Sequence, residues 1–180
     1  SINLDGRYEV TFHVKDSEDR SAISEPVVFR KGSSPYVRIK TDQSSYASHE
    51  NPTFKIELDG EGRVDVYSAI LWPEPYSTFH PVKFGASGLE IGDGVEAIEI
   101  IEKGSEVLPP LVEGFDLFEL PMLDLFSTTE VTSSSYPSGR YTWITLLVKS
   151  GKDFREGQST VALDDYLFYL ERESLVSDKG

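Results

Sequence analysis

The chain has 180 residues, no cysteine and a formal net charge of -14, from 17 basic and 31 acidic side chains. This acidity argues against nucleic-acid partners and anionic membrane surfaces, because both would repel the chain. The lack of cysteine excludes disulfides, thiol nucleophiles and thiolate metal sites. No apolar run approaches the roughly 20 residues of a membrane-spanning helix, so we expect no membrane insertion.

The N-terminal segment, residues 1–31, is predicted to form a β-hairpin. Apolar and polar side chains alternate over residues 7–15, a polar turn follows, and residues 22–30 return as a second strand. A lone hairpin is marginal in water, so we expect these strands to end a preceding module or to pack on the following one. Their open edge also predicts strand pairing with a second copy, as in a homodimer.

After a short linker at residues 32–35, residues 36–171 are predicted to form an all-β domain. Short alternating strands are separated by glycine, proline and acidic turns, without a long segment of helical periodicity. The run from Arg63 to Trp72 becomes apolar on both faces, which predicts a central strand. Residues 85–113 form a longer middle segment of this domain, in which the apolar spacing over residues 95–103 fits a strand or a helical turn. A polar tail, residues 172–180, closes the chain.

Three stretches carry a resemblance to a known class of module. They are the turn at residues 42–46, the strand Val64-Asp65-Val66-Tyr67 continuing to Pro73, and Tyr136-Pro137-Ser138-Gly139-Arg140-Tyr141-Thr142-Trp143. Together they resemble the immunoglobulin-like repeats of large exported bacterial proteins. The resemblance implies an antiparallel β-sandwich with an added N-terminal hairpin.

The phrase Gly-Arg-Tyr occurs twice, ending at Tyr8 and at Tyr141. It is similar to the tyrosine corner of immunoglobulin-like sandwiches, in which the hydroxyl bonds to upstream backbone. The resemblance therefore implies structural tyrosine corners at both positions.

No pattern in the sequence predicts an enzyme. His13, His49 and His80 lack companions at metal-ligand spacing and are interpreted as ordinary surface histidines. There is no Gly-x-Ser-x-Gly nucleophile motif. No cofactor is expected. The hairpin-tip carboxylates Asp16, Glu18 and Asp19 are candidate calcium ligands, because calcium prefers oxygen ligands. In the alternative interpretation they are ordinary turn residues, since acidic residues are also typical of turns.

An aromatic cluster is the strongest sign of binding. Trp72, Tyr76 and Phe79 surround two prolines, and exposed aromatic rings stack on sugars and proteins. In the alternative interpretation Trp72 closes the end of the core and Tyr76 covers it. Trp143 is predicted to lie in the core.

We therefore expect a non-enzymatic structural or interaction module of a multidomain exported bacterial protein, at the cell surface, in the periplasm or secreted. Its expected partners are neighbouring domains of the same polypeptide, another protein or a glycan. The alternative is a carbohydrate-binding β-sandwich attached to an enzyme.

Overall fold

The computed structural model describes residues 6–15, 17–18, 20–31, 34–47, 50, 52–85, 88–117, 127–128 and 136–171. The strands, in chain order, are β1 (Gly6–Val10), β2 (His13–Lys15), β3 (Ser21–Ile23), β4 (Val27–Lys31), β5 (Tyr36–Thr41), β6 (Ser45–Tyr46), β7 (Thr53–Asp59), β8 (Arg63–Leu71), β9 (Phe79–Gly85), β10 (Gly88–Ile91), β11 (Val112–Asp116), β12 (Ser127–Thr128), β13 (Gly139–Lys149) and β14 (Thr160–Leu170). The described chain contains one helix, α1 (Ala97–Lys103), which runs into a 3₁₀ turn, Gly104–Glu106. The predicted all-β class is confirmed.

The N-terminal hairpin is present, but both of its arms are interrupted. β1 pairs with β4 and β2 pairs with β3, all antiparallel. Between these pairs, the Ser24 hydroxyl accepts the Phe12 N–H at 2.9 Å, and the Ser24 N–H donates to the Phe12 carbonyl at 2.9 Å. The strand predicted over residues 7–15 is therefore present as two strands, β1 and β2, with a break at residues 11–12 where the Ser24 hydroxyl accepts the Phe12 N–H.

Several apolar side chains in the described part of the hairpin are exposed. Phe12, Val14 and Ile23 are 60%, 64% and 65% exposed. The expectation that the hairpin packs onto the following domain is not met by these side chains. Pairing with a second copy stays a prediction. The predicted tail, 172–180, lies outside the described residues.

The larger sheet has seven strands, in the order β10-β9-β8-β13-β14-β6, with β11 pairing to β8 off this path. One edge of β8 pairs with β13, and the other is shared by β9 and β11. The predicted central position of this strand is confirmed. β14 and β6 pair in parallel at Tyr169–Leu170, so the expectation of a wholly antiparallel fold is wrong at this edge.

The smaller sheet has three strands, in the order β12-β7-β5, and shares one hydrophobic core with the larger. The smaller sheet contributes Val37, Ile39, Ile56 and Leu58. The larger sheet contributes, among others, Val66, Ile70, Tyr141, Trp143, Leu147 and Phe168. Trp143 is 1% exposed, which confirms its predicted core position.

A buried hydrogen-bond chain crosses two neighbouring strands in this core. The indole Nε1 of Trp143 donates to the Ser68 hydroxyl at 2.7 Å, and that oxygen lies 3.0 Å from the Thr145 hydroxyl. The polar atoms are therefore satisfied inside an apolar environment, where an unpaired group would be destabilising.

The second Gly-Arg-Tyr phrase opens β13 at a tight corner. The Tyr141 hydroxyl donates to the carbonyl of Pro137, four residues upstream, at 2.5 Å. Gly139 has a φ of +145°, and a Cβ added there would lie 2.7 Å from Cβ of Pro73. Glycine is needed for both reasons. Tyr8 lies in β1, but its side chain is outside the part of the chain whose side chains are described.

Candidate functional site

The outer face of the larger sheet carries an apolar cavity of about 300 Å³. Because cross-strand neighbours share a face of a sheet, Tyr67 and Ala69 of β8 lie beside Leu146 and Ile144 of β13. Phe79 of β9 lines the same cavity. This face is apolar as well as the core face, which accounts for the continuous apolar run around residues 69–71.

Helix α1 and the segments near it form the other wall of the cavity. These residues are apolar and come from the helix, the segment after it and the β13–β14 turn: Ala97, Ile100, Ile101, Leu108 and Phe154. The sequence left residues 95–103 undecided between strand and helix. Val95 forms a β-bridge with Phe79, and residues 97–103 form helix α1, which is the roof of the cavity. Ile101 is 68% exposed, so the roof also presents apolar surface to solvent.

Exposed leucines continue on this face of β14, on either side of the exposed Asp165. Leu163 of β14 lies opposite Leu146, and it is 58% exposed. Leu167 lies on the same face of that strand and is 52% exposed. An open antiparallel sheet commonly has one polar, solvated face, so the uncovered leucines beside a cavity make this face a candidate binding surface.

The C-terminal end of α1 is fixed to the β13–β14 turn by Arg155. Its guanidinium donates to the carbonyls of Ile101 and Glu102 at 3.3 and 2.7 Å. A cation is favourable at this end of a helix, where carbonyls are unpaired. Asp153 completes the anchor, because it accepts hydrogen bonds from Arg155 and from the Ser105 hydroxyl at 3.3 Å. The Arg155 hydrogen bond holds the pKa of Asp153 well below its usual value.

A polar cleft of about 590 Å³ adjoins the apolar cavity. It is lined by four carboxylates and one ammonium group, those of Asp65, Glu113, Asp153, Glu156 and Lys152. Asp65 is 6% exposed, and its two oxygens accept the N–H groups of Gly114 and Gly151 at 2.7 and 2.9 Å. The cleft is therefore strongly acidic.

Tyr67 is the residue common to the cavity and the cleft. It is 4% exposed, its ring meets Phe154 edge to face at 5.1 Å, and its hydroxyl has no hydrogen-bond partner among the described residues. Burial, followed by the charges of Asp65, Asp153 and Glu113, raises the pKa of Tyr67. The side chain is buried as a whole, but the hydroxyl oxygen is not itself fully buried, so it is accessible to a ligand where the two spaces meet.

The predicted aromatic cluster is not a single surface. Trp72 and Tyr76 meet at 83° with ring centroids 6.0 Å apart, and Phe79 lines the cavity on the outer face. Successive residues of β9 point to opposite faces, so His80 lies on the core side and stacks on Trp72 at 4.0 Å. Trp72 packs against the core while Tyr76 is 55% exposed, as in the alternative interpretation.

The interpretation of His80 as a surface residue is wrong. It is 8% exposed, and its ring nitrogens lie 3.0 Å from the Thr78 hydroxyl and 2.9 Å from the Gly92 carbonyl. Burial lowers the pKa of His80, although the Gly92 carbonyl and Asp93 act in the opposite direction. The neutral ring donates to Gly92 and accepts from Thr78. His13 is exposed, and His49 lies outside the described residues.

Of the three predicted calcium ligands, only Glu18 is among the described residues. Asp16 and Asp19 lie outside the described residues, and Glu18 pairs with Arg20 at 3.1 Å. In the described ranges no group of three or more histidine, aspartate or glutamate side chains is placed to hold a metal ion.

No model of a known protein family matches the sequence, and no curated protein matches it. In the part of the chain that the structure describes, no helix is long and apolar enough to cross a membrane.

Proposed function

We propose that this chain is a non-enzymatic interaction module, which binds a small ligand in the apolar cavity between helix α1 and the larger sheet. The observation that carries the proposal is the cavity itself, about 300 Å³ and lined almost wholly by apolar side chains. This volume falls at the lower end of the range for small-molecule sites, which are typically apolar clefts with a few polar groups at one end. The Tyr67 hydroxyl supplies a polar group of this kind.

The polar side chains in the described core and turns support a binding role over a catalytic one. Asp65 holds two backbone N–H groups, and Asp153 holds Arg155 and the turn after α1. The buried His80 has a hydrogen-bond partner at each ring nitrogen. Each of these groups is engaged in positioning the chain, whereas a general base must be free to take a proton from a substrate.

The wider setting is proposed from the sequence resemblance. We infer an immunoglobulin-like module of a multidomain exported bacterial protein, with neighbouring domains as partners. The Tyr141 corner and the shared core of two sheets support this inference, while α1 and the parallel β14–β6 pair are additions to the pattern. Reading the parent gene tests it, since export predicts a secretion signal and tandem modules. A lone cytoplasmic protein would contradict it.

Ligand binding in the cavity is testable with the uncharged probe 4-phenyl-1-butanol. Titration calorimetry should show binding, and the methyl NMR signals of Ile100 and Leu146 should shift. Ala97→Phe places a ring in the cavity and should weaken binding about tenfold or more, the equivalent of losing roughly two buried methylene groups. The matched control is Ala22→Phe, at an exposed position in β3.

Circular dichroism spectra of both variants should show intact folding. Equal affinity in Ala97→Phe and the control would overturn binding in this cavity. Failure of apolar probes of every charge to bind would overturn the proposed function.

A further inference from the structure

We propose that the ligand is an organic cation, with its apolar body in the cavity and its ammonium group in the acidic cleft beside Tyr67. The inference rests on the proposed function and adds the chemical class of the ligand. It follows from the contact between the two spaces: Tyr67 lines both, while Phe154 lines the cavity and its neighbour Asp153 lines the cleft. A molecule with one apolar and one polar end would span them.

The charges in the cleft indicate that the polar end of the ligand is positively charged. Lys152 is paired with Glu156 at 3.2 Å, and Arg155 is paired with Asp153 at 2.9 Å. Asp65 has two backbone partners but no cationic one, and Glu113 has no hydrogen-bond or ion-pair partner among the described residues. Two carboxylates without a counter-charge thus remain, and they attract an ammonium group and repel a carboxylate.

Tyr67 provides the contact at the boundary. Its hydroxyl has no hydrogen-bond partner among the described residues, although the side chain is 4% exposed, and an ammonium group is a donor that this oxygen can accept from. The rings of Tyr67 and Phe154 meet edge to face at 5.1 Å, which also places aromatic surface near a bound cation. A neutral ligand would leave the two carboxylates uncompensated.

The size of the cavity sets the size of the apolar body. The volume of about 300 Å³ is roughly twice the ~150 Å³ of an apolar cavity that holds one benzene molecule. A phenyl ring with a short alkyl chain fits this space, and a second ring or a long acyl chain would extend beyond it. Phenylalkylamines are therefore suitable probes.

Three probes with the same apolar body separate the effect of charge from the effect of size. They are 4-phenylbutylamine, 4-phenyl-1-butanol and 4-phenylbutyrate, titrated calorimetrically into the whole chain at pH 7 and low salt. The amine should bind at least about fivefold more tightly than the alcohol, and the carboxylate should bind most weakly; added salt should reduce the difference.

Two variants test whether the ammonium group binds in the acidic cleft. Glu113→Gln should reduce the preference for the amine over the alcohol by about threefold or more, because one uncompensated charge is removed. Tyr67→Phe should weaken binding of the amine more than binding of the alcohol. The matched control, Glu25→Gln in the exposed hairpin, should change neither affinity.

The outcomes distinguish the two proposals. If the alcohol binds as tightly as the amine, the cation is excluded while the apolar site stands. If the carboxylate binds most tightly, the assigned charge is reversed and wrong. If the amine preference persists unchanged in Glu113→Gln and Tyr67→Phe, the ammonium group does not lie in this cleft. If none of the three probes binds, the proposed function fails with the inference.

Discussion

The guanidinium of Arg155 occupies the space that a side chain at Gly104 would need. A Cβ added to Gly104 would lie 2.2 Å from Nε of Arg155 and 2.7 Å from a carboxylate oxygen of Asp153. The end of α1 can approach its anchor this closely only because Gly104 has no side chain. The position of the cavity roof therefore depends on one glycine.

Gly104→Ala should destabilise the chain by about 1 kcal/mol or more, because φ is +55° and the new methyl group collides with Arg155. Urea unfolding measures the change, and hydrogen exchange of the α1 amides should accelerate. Gly157→Ala is the control, since a Cβ there meets nothing within 4 Å. Equal stability of the two variants would show that the anchor does not need this close approach.

Asp65→Asn should destabilise the chain by about 1.5–3 kcal/mol, the usual contribution of hydrogen bonds to a charged group. The asparagine amide has one acceptor oxygen where the carboxylate has two, so one of the partly buried N–H groups of Gly114 and Gly151 loses its acceptor. The free energy of unfolding in urea tests this. Asp165→Asn, at an exposed position in β14, is the matched control. An equal, small effect at both positions would rule out the structural role of Asp65.

Ser68→Ala should cost about 1–3 kcal/mol, because it leaves the buried Trp143 Nε1–H without its acceptor. Thermal and urea unfolding should both show this decrease in the free energy of unfolding. Exposed Ser44→Ala provides the comparison and should change stability little. An unchanged unfolding free energy in Ser68→Ala would mean that the indole finds another partner.

His80 should make stability depend on pH below about 6.5, the ordinary histidine value. Its folded-state pKa is lowered by burial, so the unfolded chain binds the proton more readily and stability decreases as the pH falls from 6.5 through the folded-state pKa. Urea unfolding at pH 7.5 and pH 5.5 measures this. His80→Gln should reduce the dependence, whereas exposed His13→Gln should retain it. A dependence that survives in His80→Gln would assign it to other groups.

The strands were largely predictable because their signal is local. Period-two alternation predicted short strands between residues 36 and 171, and the run apolar on both faces predicted β8 as central. The cavity was not predictable in the same way. Helix α1 has only 7 residues, too few to form by propensity alone, and Arg155, from a distant turn, bonds its C-terminal carbonyls.

The positions of the aromatic residues were also only partly predictable from the sequence. Trp72, Phe79 and His80 are near one another in sequence, yet alternation in β9 places Phe79 in the outer cavity and His80 in the core beside Trp72. The alternation is visible in the sequence, but the register that decides which face is which comes from pairing with β8.

By itself, the sequence determined the all-β class, the turns, the central strand and the buried Trp143, because backbone periodicity and turn chemistry act over a few residues. The tertiary structure alone decided that α1 roofs an apolar cavity, that Tyr67 joins it to an acidic cleft, and that His80 is buried. These features depend on contacts between residues tens of positions apart, such as Ile101 with Arg155 and Asp65 with Gly151. No local pattern encodes such contacts, because they arise when separate segments pack together.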